Sequence, residues 1–399
     1  MKIYHFSKDA ALIIYIELFY VVALSFLSFL CWDVPFSIFF QQLDDDNDSS
    51  VEERNIDAAN EVRKEEAKRY WNSVDAGEHL QFYKEVLESK TFAFAILIIT
   101  SVRRDSKTGE ILNLNYLSQV AAELDKQIFE NGIKAPLIMC KVQGYMRPHT
   151  EAEELEAYIP LITRQKDALL SYQEKTKQER QDYVACLNEA ISVLQVDVPL
   201  LVLQDDALPH PHALKIIEEI ISQRFKTGSL DRDVALVKLF YPEKWQGYGL
   251  NLQGTLELLA FGLLGAFCHM LLLGFFKLHN LTDFQKLIFY LVGCSAFILT
   301  AVIYGRPNII ELRRSFWYLW SLVPAPGCCI PAVVYSPHHI AGIINYCSSD
   351  DAEKKLIDLC IDSYVREVGA RMYLIEPNAF KHIGWHSSLG DPKSALDFL

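Results

Sequence analysis

Two apolar runs, Leu258–Phe276 and Leu287–Tyr304, contain no Asp, Glu, Lys or Arg, and only the ten residues Lys277–Lys286 separate them. Each approaches the ~20 residues that a helix needs to cross a bilayer core. So short a link turns the chain back on itself, which places whatever precedes and follows the pair on one side of the membrane. A buried helical pair in a soluble core is the competing reading, but it does not account for the basic residues at the shared turn. A third run, Ala10–Trp32, is 23 residues long with Glu17 as its only charge. As a helix it extends roughly 34 Å. It is longer than the apolar stretch of a cleaved leader and no small-x-small signature precedes Asp33, so the sequence favours a retained anchor.

Charge sets the expected orientation. Lys2 and Lys8 precede the first run, and Lys277 and Lys286 flank the turn. Basic residues stay on the cytosolic side, so residues 33–254 and 305–399 are expected together in the lumen. The sequon at Asn47 would then be open to glycosylation and that at Asn280 would not. A 51% hydrophobic share beside 22% charged residues suits a water-facing domain joined to a few spans. A net charge of −13 argues against a nucleic-acid partner, which needs a basic surface. Cys31, Cys268 and Cys294 lie in apolar runs. Six more, Cys140, Cys186, Cys328, Cys329, Cys347 and Cys360, lie outside them. An even number permits disulfides in an oxidising compartment, with fifteen pairings open. The adjacent Cys328–Cys329 pair matches no zinc motif, since spaced CxxC pairs are absent.

After an acidic stretch at Asp44–Asp48, charged helix-forming sequence runs to about Lys90, as a solvated spacer would. Beyond it, apolar runs of strand length appear at 92–99, 136–142, 198–203, 234–240, 330–335 and 372–375. Amphipathic stretches at 115–130, 179–194, 212–225 and 352–368 alternate with them. The pattern predicts an α/β domain around a mostly parallel sheet. Ligands bind such sheets outside the carboxyl ends of the strands, so the residues after each strand are the ones to inspect.

Three of those places carry chemistry. The run Leu200–Leu203 delivers Gln204, Asp205 and Asp206 to a strand end. Adjacent carboxylates repel, and a hard cation would stabilise them, with a diphosphate completing its shell. A turn with Asp as a helix cap is the bland alternative. The segment Glu376–Gly384 follows the last strand, where His382 could bring imidazole to the same cation and Lys381 could meet a phosphate. Val102, Arg103 and Arg104 close the first strand, where bases could face a nucleotide diphosphate, although surface charge is the more common explanation of such residues. A membrane transporter fits less well, because Glu17 has no evident intramembrane partner.

These pieces arrive in a specific order: an anchor, a strand ending near Thr100-Ser101-Val102-Arg103-Arg104, Leu203-Gln204-Asp205-Asp206, a membrane hairpin, Cys328-Cys329-Ile330-Pro331, and Glu376-Pro377-Asn378 with Lys381-His382-Ile383-Gly384. In that order, from about residue 92 onward, the chain resembles the Golgi N-acetylgalactosamine (GalNAc) transferases of glycosylphosphatidylinositol (GPI) anchors, the post-GPI-attachment-to-proteins factor four family. Its terminal segment is also similar to the N-glycan-branching N-acetylglucosaminyltransferases of the fourth type. The resemblance implies a GT-A-like nucleotide-sugar fold split by two membrane helices, with UDP-GalNAc as donor and the first mannose of the GPI core as acceptor. It implies an inverting displacement assisted by a divalent ion such as Mn2+, held by Asp206 and His382. Asp205 would touch the donor's ribose or sugar, and Arg103 or Arg104 would lie near the nucleotide. Asp358 would be the base, with Glu376 and Asp351 as substitutes. The family's Glu-Asp-Asp element reads Gln204-Asp205-Asp206 here, one negative charge fewer. That departure keeps a non-catalytic glycan-binding protein in view as the alternative. The implied layout is a cytosolic tail (1–9), an anchor (10–32), a luminal stem and spacer (33–90), a first transferase part (91–254), the hairpin (255–304) and a second transferase part (305–399).

Overall fold

The structure is a computed structural model that describes residues 8–40, 46–104, 108, 110–143, 149–165, 172–195, 197–224, 233–249, 251–277, 281–349 and 355–385. Asp351, the Asn280 sequon and everything after Trp385 lie outside the described residues. The chain forms two compact units. One holds the N-terminal residues to Asp45 together with Pro242–Ser315; the other holds Asp46–Tyr241 and the chain from Phe316 onward.

The first unit contains α1 (Lys8–Leu30), the later helices α8 (Leu252–Phe275) and α9 (Asp283–Tyr304), and the short α10 (Arg306–Leu312). Helices α8 and α9 are long and apolar enough to cross a membrane, and only 22% and 28% of their most apolar windows are buried, so no soluble core encloses them. They pack closely because small residues face each other. A Cβ added at Gly265 would stand 2.2 Å from the Gly293 carbonyl oxygen, and one at Gly293 would stand 2.1 Å from His269 Nδ1. Small residues of this kind let helix backbones approach in lipid, where dispersion replaces the hydrophobic effect. Thr282 and Gln285 form a capping box that starts α9 after the turn. At its far end, Arg306 donates two hydrogen bonds of 2.7 Å to Glu257 of α8. Helix α1 is itself 23 residues long; among the described residues, its apolar stretch is Ile14–Leu30, and α8 and α9 are the two helices that meet the length and composition of a span.

The second unit is a three-layer α/β domain. Its first elements are helices α2 (Asp46–Ser73) and α3 (Ala76–Ser89), strand β1 (Ala95–Ser101), helix α4 (Tyr116–Asn131), strand β2 (Leu137–Gln143), helix α5 (Thr150–Leu155) and strand β3 (Leu161–Gln165). Helix α6 (Tyr172–Leu194), strands β4 (Leu200–Gln204) and β5 (Ala207–Pro209), helix α7 (Ala213–Arg224) and strand β6 (Val234–Lys238) bring the chain to the hairpin. Beyond it come β7 (Ser321–Pro324), β8 (Ala332–Tyr335), α11 (Pro337–Ser348), α12 (Ile357–Glu367), β9 (Arg371–Glu376) and β10 (Phe380–His382).

Eight strands form one sheet in the order β3-β2-β1-β4-β8-β6-β9-β7. Strands β8 and β7 run against the other six, so the sheet is mostly parallel. All six expected strands are present, and their continuous apolar runs have one cause: both faces are covered. Ile96 and Ile98 of β1 pack with α4 and α7, while Ala95 and Leu97 pack with α6, α11 and α12. Disulfides Cys140–Cys186 and Cys347–Cys360 tie β2 to α6 and α11 to α12. The hairpin interrupts this domain between β6 and β7, and the sheet closes across the gap, since β6 pairs with both β8 and β9. Residues on the two sides of the hairpin therefore share one compartment.

The spacer is part of this domain rather than a detached stalk. Asp125 of α4 is fully buried and accepts hydrogen bonds of 2.5 Å from Tyr70 of α2 and from Tyr83 of α3, with His79 Nδ1 at 2.9 Å. Removing that carboxylate strands the buried Tyr83 and His79 and the half-buried Tyr70, and burying unsatisfied groups is costly. Asp125→Ala is expected to cost about 3 kcal/mol, read as a lower thermal midpoint of the detergent-solubilised protein.

Candidate active site

Strands β1 and β4 are neighbours, and the chain leaves β1 toward β2 on one side while β4 lies on the other. Such a reversal opens a crevice at the carboxyl ends of the strands. Arg103 follows β1 and Asp205-Asp206 follow β4, so sequence and topology deliver the guanidinium and both carboxylates to that crevice. Arg103 Nη2 donates to Asp205 Oδ1 at 2.6 Å and to Asp206 Oδ2 at 2.7 Å. Burial alone would depress Arg103, but the two carboxylates outweigh it and hold the guanidinium above its ordinary range. Its planar face lies 5.0 Å from the centre of the Tyr116 ring, a cation–π contact, and the Tyr116 hydroxyl accepts from the Trp385 N–H at 3.2 Å. The expected repulsion within Asp205-Asp206 is therefore met by a side chain of the protein itself.

A relay behind Asp205 went unread in the sequence. The Thr100 hydroxyl donates to Asp205 Oδ2 at 2.6 Å. Having one hydrogen, it must accept from His149 Nε2, 2.8 Å away. His149 is then the Nε2–H tautomer, and its Nδ1 accepts the Ala152 N–H at 3.4 Å. A neutral ring agrees with burial, which lowers the His149 pKa. Both Asp205 oxygens are thus engaged inside the protein, which makes this carboxylate a brace as well as a candidate donor contact.

His382 reaches the site by a different route. The chain leaves β9, passes the buried Asn378, which exchanges hydrogen bonds with the Tyr241 backbone, and enters β10. Strand β10 pairs antiparallel with β5, and His382 stands opposite Ala207. The Ile383 N–H donates to the Asp206 carbonyl at 2.8 Å, and His382 Nε2 lies 3.2 Å from Asp206 Oδ2. Gly384 is required by contact: a Cβ there would stand 1.9 Å from Asp206 Oδ2.

The Asp206–His382 pair can be tested against a divalent ion. Two adjacent ligands about 2.1 Å from an octahedral cation lie about 3.0 Å apart, and the observed 3.2 Å suits such corners. Among the described residues no group of three or more His, Cys, Asp or Glu converges as a metal site. An ion here needs ligand oxygens to complete its shell, as magnesium-type sites do with phosphates.

The other expected residues lie differently. Lys381 precedes His382 in β10 and so faces the opposite side. It lines a cleft of about 690 Å³ with Arg63, Arg69, Lys126 and Glu123, apart from the carboxylates. Arg104 is exposed and bridges to Ile111, while Val102 is half-buried. Glu376, at the end of β9, is buried. Asp358 belongs to a second group at the start of α12, where it accepts the Leu359 N–H at 2.7 Å and the Cys329 N–H at 3.2 Å. Close by, buried Lys238 donates to the carbonyls of Pro326, at 2.8 Å, and Cys328. Burial lowers its pKa.

The match to a known family covers nearly all of this arrangement. The family described as GPI-N-acetylgalactosamine transferase PGAP4 matches residues 94–381, most of the chain and both sides of the hairpin. The chain belongs to that family. The matched span of this transferase includes Arg103, Asp205, Asp206, Asp358 and Lys381, and it stops one residue short of His382.

Glu151 gives the transferase a pH signature. Its Oε1 accepts the Ser118 N–H at 2.7 Å in the first turn of α4. Burial, with the Asp205 charge adding to it, pushes the carboxyl up to about 7 against the opposing Ser118 hydrogen bond. Between its ordinary pKa and about 7, the folded protein keeps a proton that the unfolded chain has lost. Stability should fall as pH rises through that window and level off above it, by at most about 3 kcal/mol. Thermal midpoints at pH 5 and pH 7.5 should show this component, and Glu151→Gln, which keeps the acceptor oxygen, should remove it.

Proposed function

We propose that the chain transfers GalNAc from UDP-GalNAc to the first mannose of the GPI core glycan, with inversion and with a divalent cation such as Mn2+, at the luminal face of the Golgi membrane. The anchor Ala10–Trp32 and the hairpin would give it three spans. The observation that supports this reading most is the meeting of Asp206 and His382, 3.2 Å apart although the membrane hairpin separates them in sequence. GPI-anchored proteins are its acceptors.

Asp206 and His382 would hold the cation, which would supply positive charge to a departing UDP. Arg103 keeps the Asp206 carboxylate turned toward His382 through its 2.7 Å bond. Thr100 and His149 brace Asp205 from behind, so the strand end holds its shape when the nucleotide enters. Val102 and Arg104 flank Arg103 on the approach to the crevice. Lys381 faces away from the carboxylates and is left out of the donor site in this reading. Asp358 is the proposed base: two backbone N–H groups fix its carboxylate, and a remaining lone pair takes the proton of the acceptor hydroxyl.

The hairpin also has a role. A GPI acceptor is held in the bilayer, and joining the catalytic sheet to the same bilayer through the β6–β7 connection lowers the orientational cost of their meeting. The decisive experiment uses purified full-length protein, UDP-GalNAc and GPI-anchored acceptors. Transfer by the wild type supports the reading. A protein that binds the glycan but never turns over the donor is instead the non-catalytic relative that Gln204 brings to mind. In cells lacking the gene, GalNAc-modified GPI should disappear and should return with the wild type.

A further inference from the structure

Between β7 and β8 the chain passes through Pro326-Gly327-Cys328-Cys329. Cys328 and Cys329 have φ of 60° and 61°, so two successive non-glycine residues occupy the left-handed region. Each such residue is disfavoured by crowding of its Cβ against the backbone, and a consecutive pair requires something to hold it. Part of that hold is visible: Lys238 Nζ binds the carbonyls of Pro326 and Cys328, and Asp358 binds the Cys329 N–H. The two sulfurs stand 2.7 Å apart. Both residues are half-buried and neither is bonded to another cysteine, whereas the same domain carries Cys140–Cys186 and Cys347–Cys360. Disulfides persist in oxidising compartments, so the pair sits where oxidants are present.

We infer that Cys328 and Cys329 join in a disulfide between adjacent residues, and that this bond is a labile redox lock on the loop holding Asp358. The reaction balances with an external disulfide, such as oxidised glutathione or an oxidoreductase disulfide, as the oxidant. One cysteine loses its proton and its thiolate attacks the oxidant, releasing one thiol and leaving a mixed disulfide. The neighbouring thiolate then attacks the protein-bound sulfur and releases the second thiol. Two electrons pass to the oxidant and both cysteine protons are lost. The second step is intramolecular between touching groups, which favours it strongly.

Lability follows from spacing. Adjacent Cα atoms across a trans peptide lie about 3.8 Å apart, short of the roughly 4.4–6.8 Å that an unstrained disulfide spans. Both other disulfides have Cα atoms 5.9 Å apart. Strained bonds are reduced first and are the regulatory ones. The Cys329 N–H orients Asp358, so opening the ring frees the proposed base to turn. This consequence for activity rests on the proposed function; the bond itself does not.

Full-length protein, purified in detergent without reductant, is denatured, alkylated, digested and weighed. The peptide carrying Cys328 and Cys329 should be two hydrogens lighter than the dithiol and should carry no alkyl group at either residue. With graded dithiothreitol, this pair should open before Cys140–Cys186 and Cys347–Cys360. Alkylation of both residues without reductant, while the other two bonds stay closed, overturns the inference, as does opening last. At the dithiothreitol concentration that opens only this pair, kcat should fall about tenfold with donor and acceptor KM unchanged. Cys328→Ser should show the same lowered kcat and lose the sensitivity. A wild type that keeps its kcat with the ring open refutes the link to Asp358. A wild type with no transfer at all refutes the proposed function and leaves the mass result standing.

Discussion

Asp206→Ala is expected to lower the proposed GalNAc transfer about a thousandfold, the scale expected when a charge aimed at a leaving group is removed, without unfolding the protein. The carboxylate receives Arg103 Nη2 and lies beside His382 Nε2. Its loss removes the acidic partner of His382, which comes from the segment after the hairpin's return. Arg103 keeps Asp205 as a partner at 2.6 Å, so no buried guanidinium is left unpaired and the fold should tolerate the change. Asp206→Asn sharpens the test. It preserves volume and one oxygen acceptor but removes the charge, so a loss close to that of alanine assigns the effect to charge rather than to packing. Steady-state transfer with purified protein measures both variants. If Asp206→Ala retains full activity, the carboxylate–imidazole pair is not the active centre. Complementation of gene-deficient cells by Asp206→Ala should fail to restore GalNAc on GPI.

Gly384→Ala should cost about a hundredfold in kcat/KM, although it changes no group that carries charge or a proton. The added Cβ would lie 1.9 Å from Asp206 Oδ2 and 2.7 Å from its Cγ. The backbone cannot easily yield, because the Ile383 N–H is bonded to the Asp206 carbonyl and His382 is paired in β10. The carboxylate must therefore turn, breaking its contacts with Arg103 and His382. Displacement of a catalytic group by about 1 Å costs about a hundredfold in rate. Thermal stability should change little by comparison, and the loss should appear with full occupancy of the protein by UDP. Activity equal to wild type would mean that the carboxylate's orientation does not matter to transfer.

These expectations show which parts of the site a sequence can disclose. Asp205 and Asp206 stand out because an unbroken apolar run ends at them, and His382 because it follows the last such run. Arg103 and Arg104 could not be separated from sequence, since the choice depends on where β1 stops and which way the chain turns; the fold turns the first, half-buried, onto the carboxylates and exposes the second. Lys381 and His382 were assigned together, yet strand parity alone sets neighbours on opposite faces. That signal was available once β10 was recognised, but three residues are too few to show a period. Thr100, His149 and Glu151 were missed for another reason. Their roles come from contacts across 33, 49 and 105 positions of chain, and a lone His before a short polar helix looks like a cap. The long strands and helices were legible because burial on both faces writes itself into composition. Edge strand β7, four residues ending in Pro324, and β3 have no such mark.

The closure of the sheet across the hairpin also orders biosynthesis. When the ribosome has made β6, its partners β8 and β9 do not yet exist, and both emerge only after α8 and α9. Half the crevice must therefore wait on one side of the membrane, with Asp205 and Asp206 in place, while the membrane pair is threaded. If only one of the two helices crossed, the final strands would be stranded in the other compartment and His382 could never arrive. Catalytic competence would thus certify that insertion succeeded, a quality check written into the order of the strands.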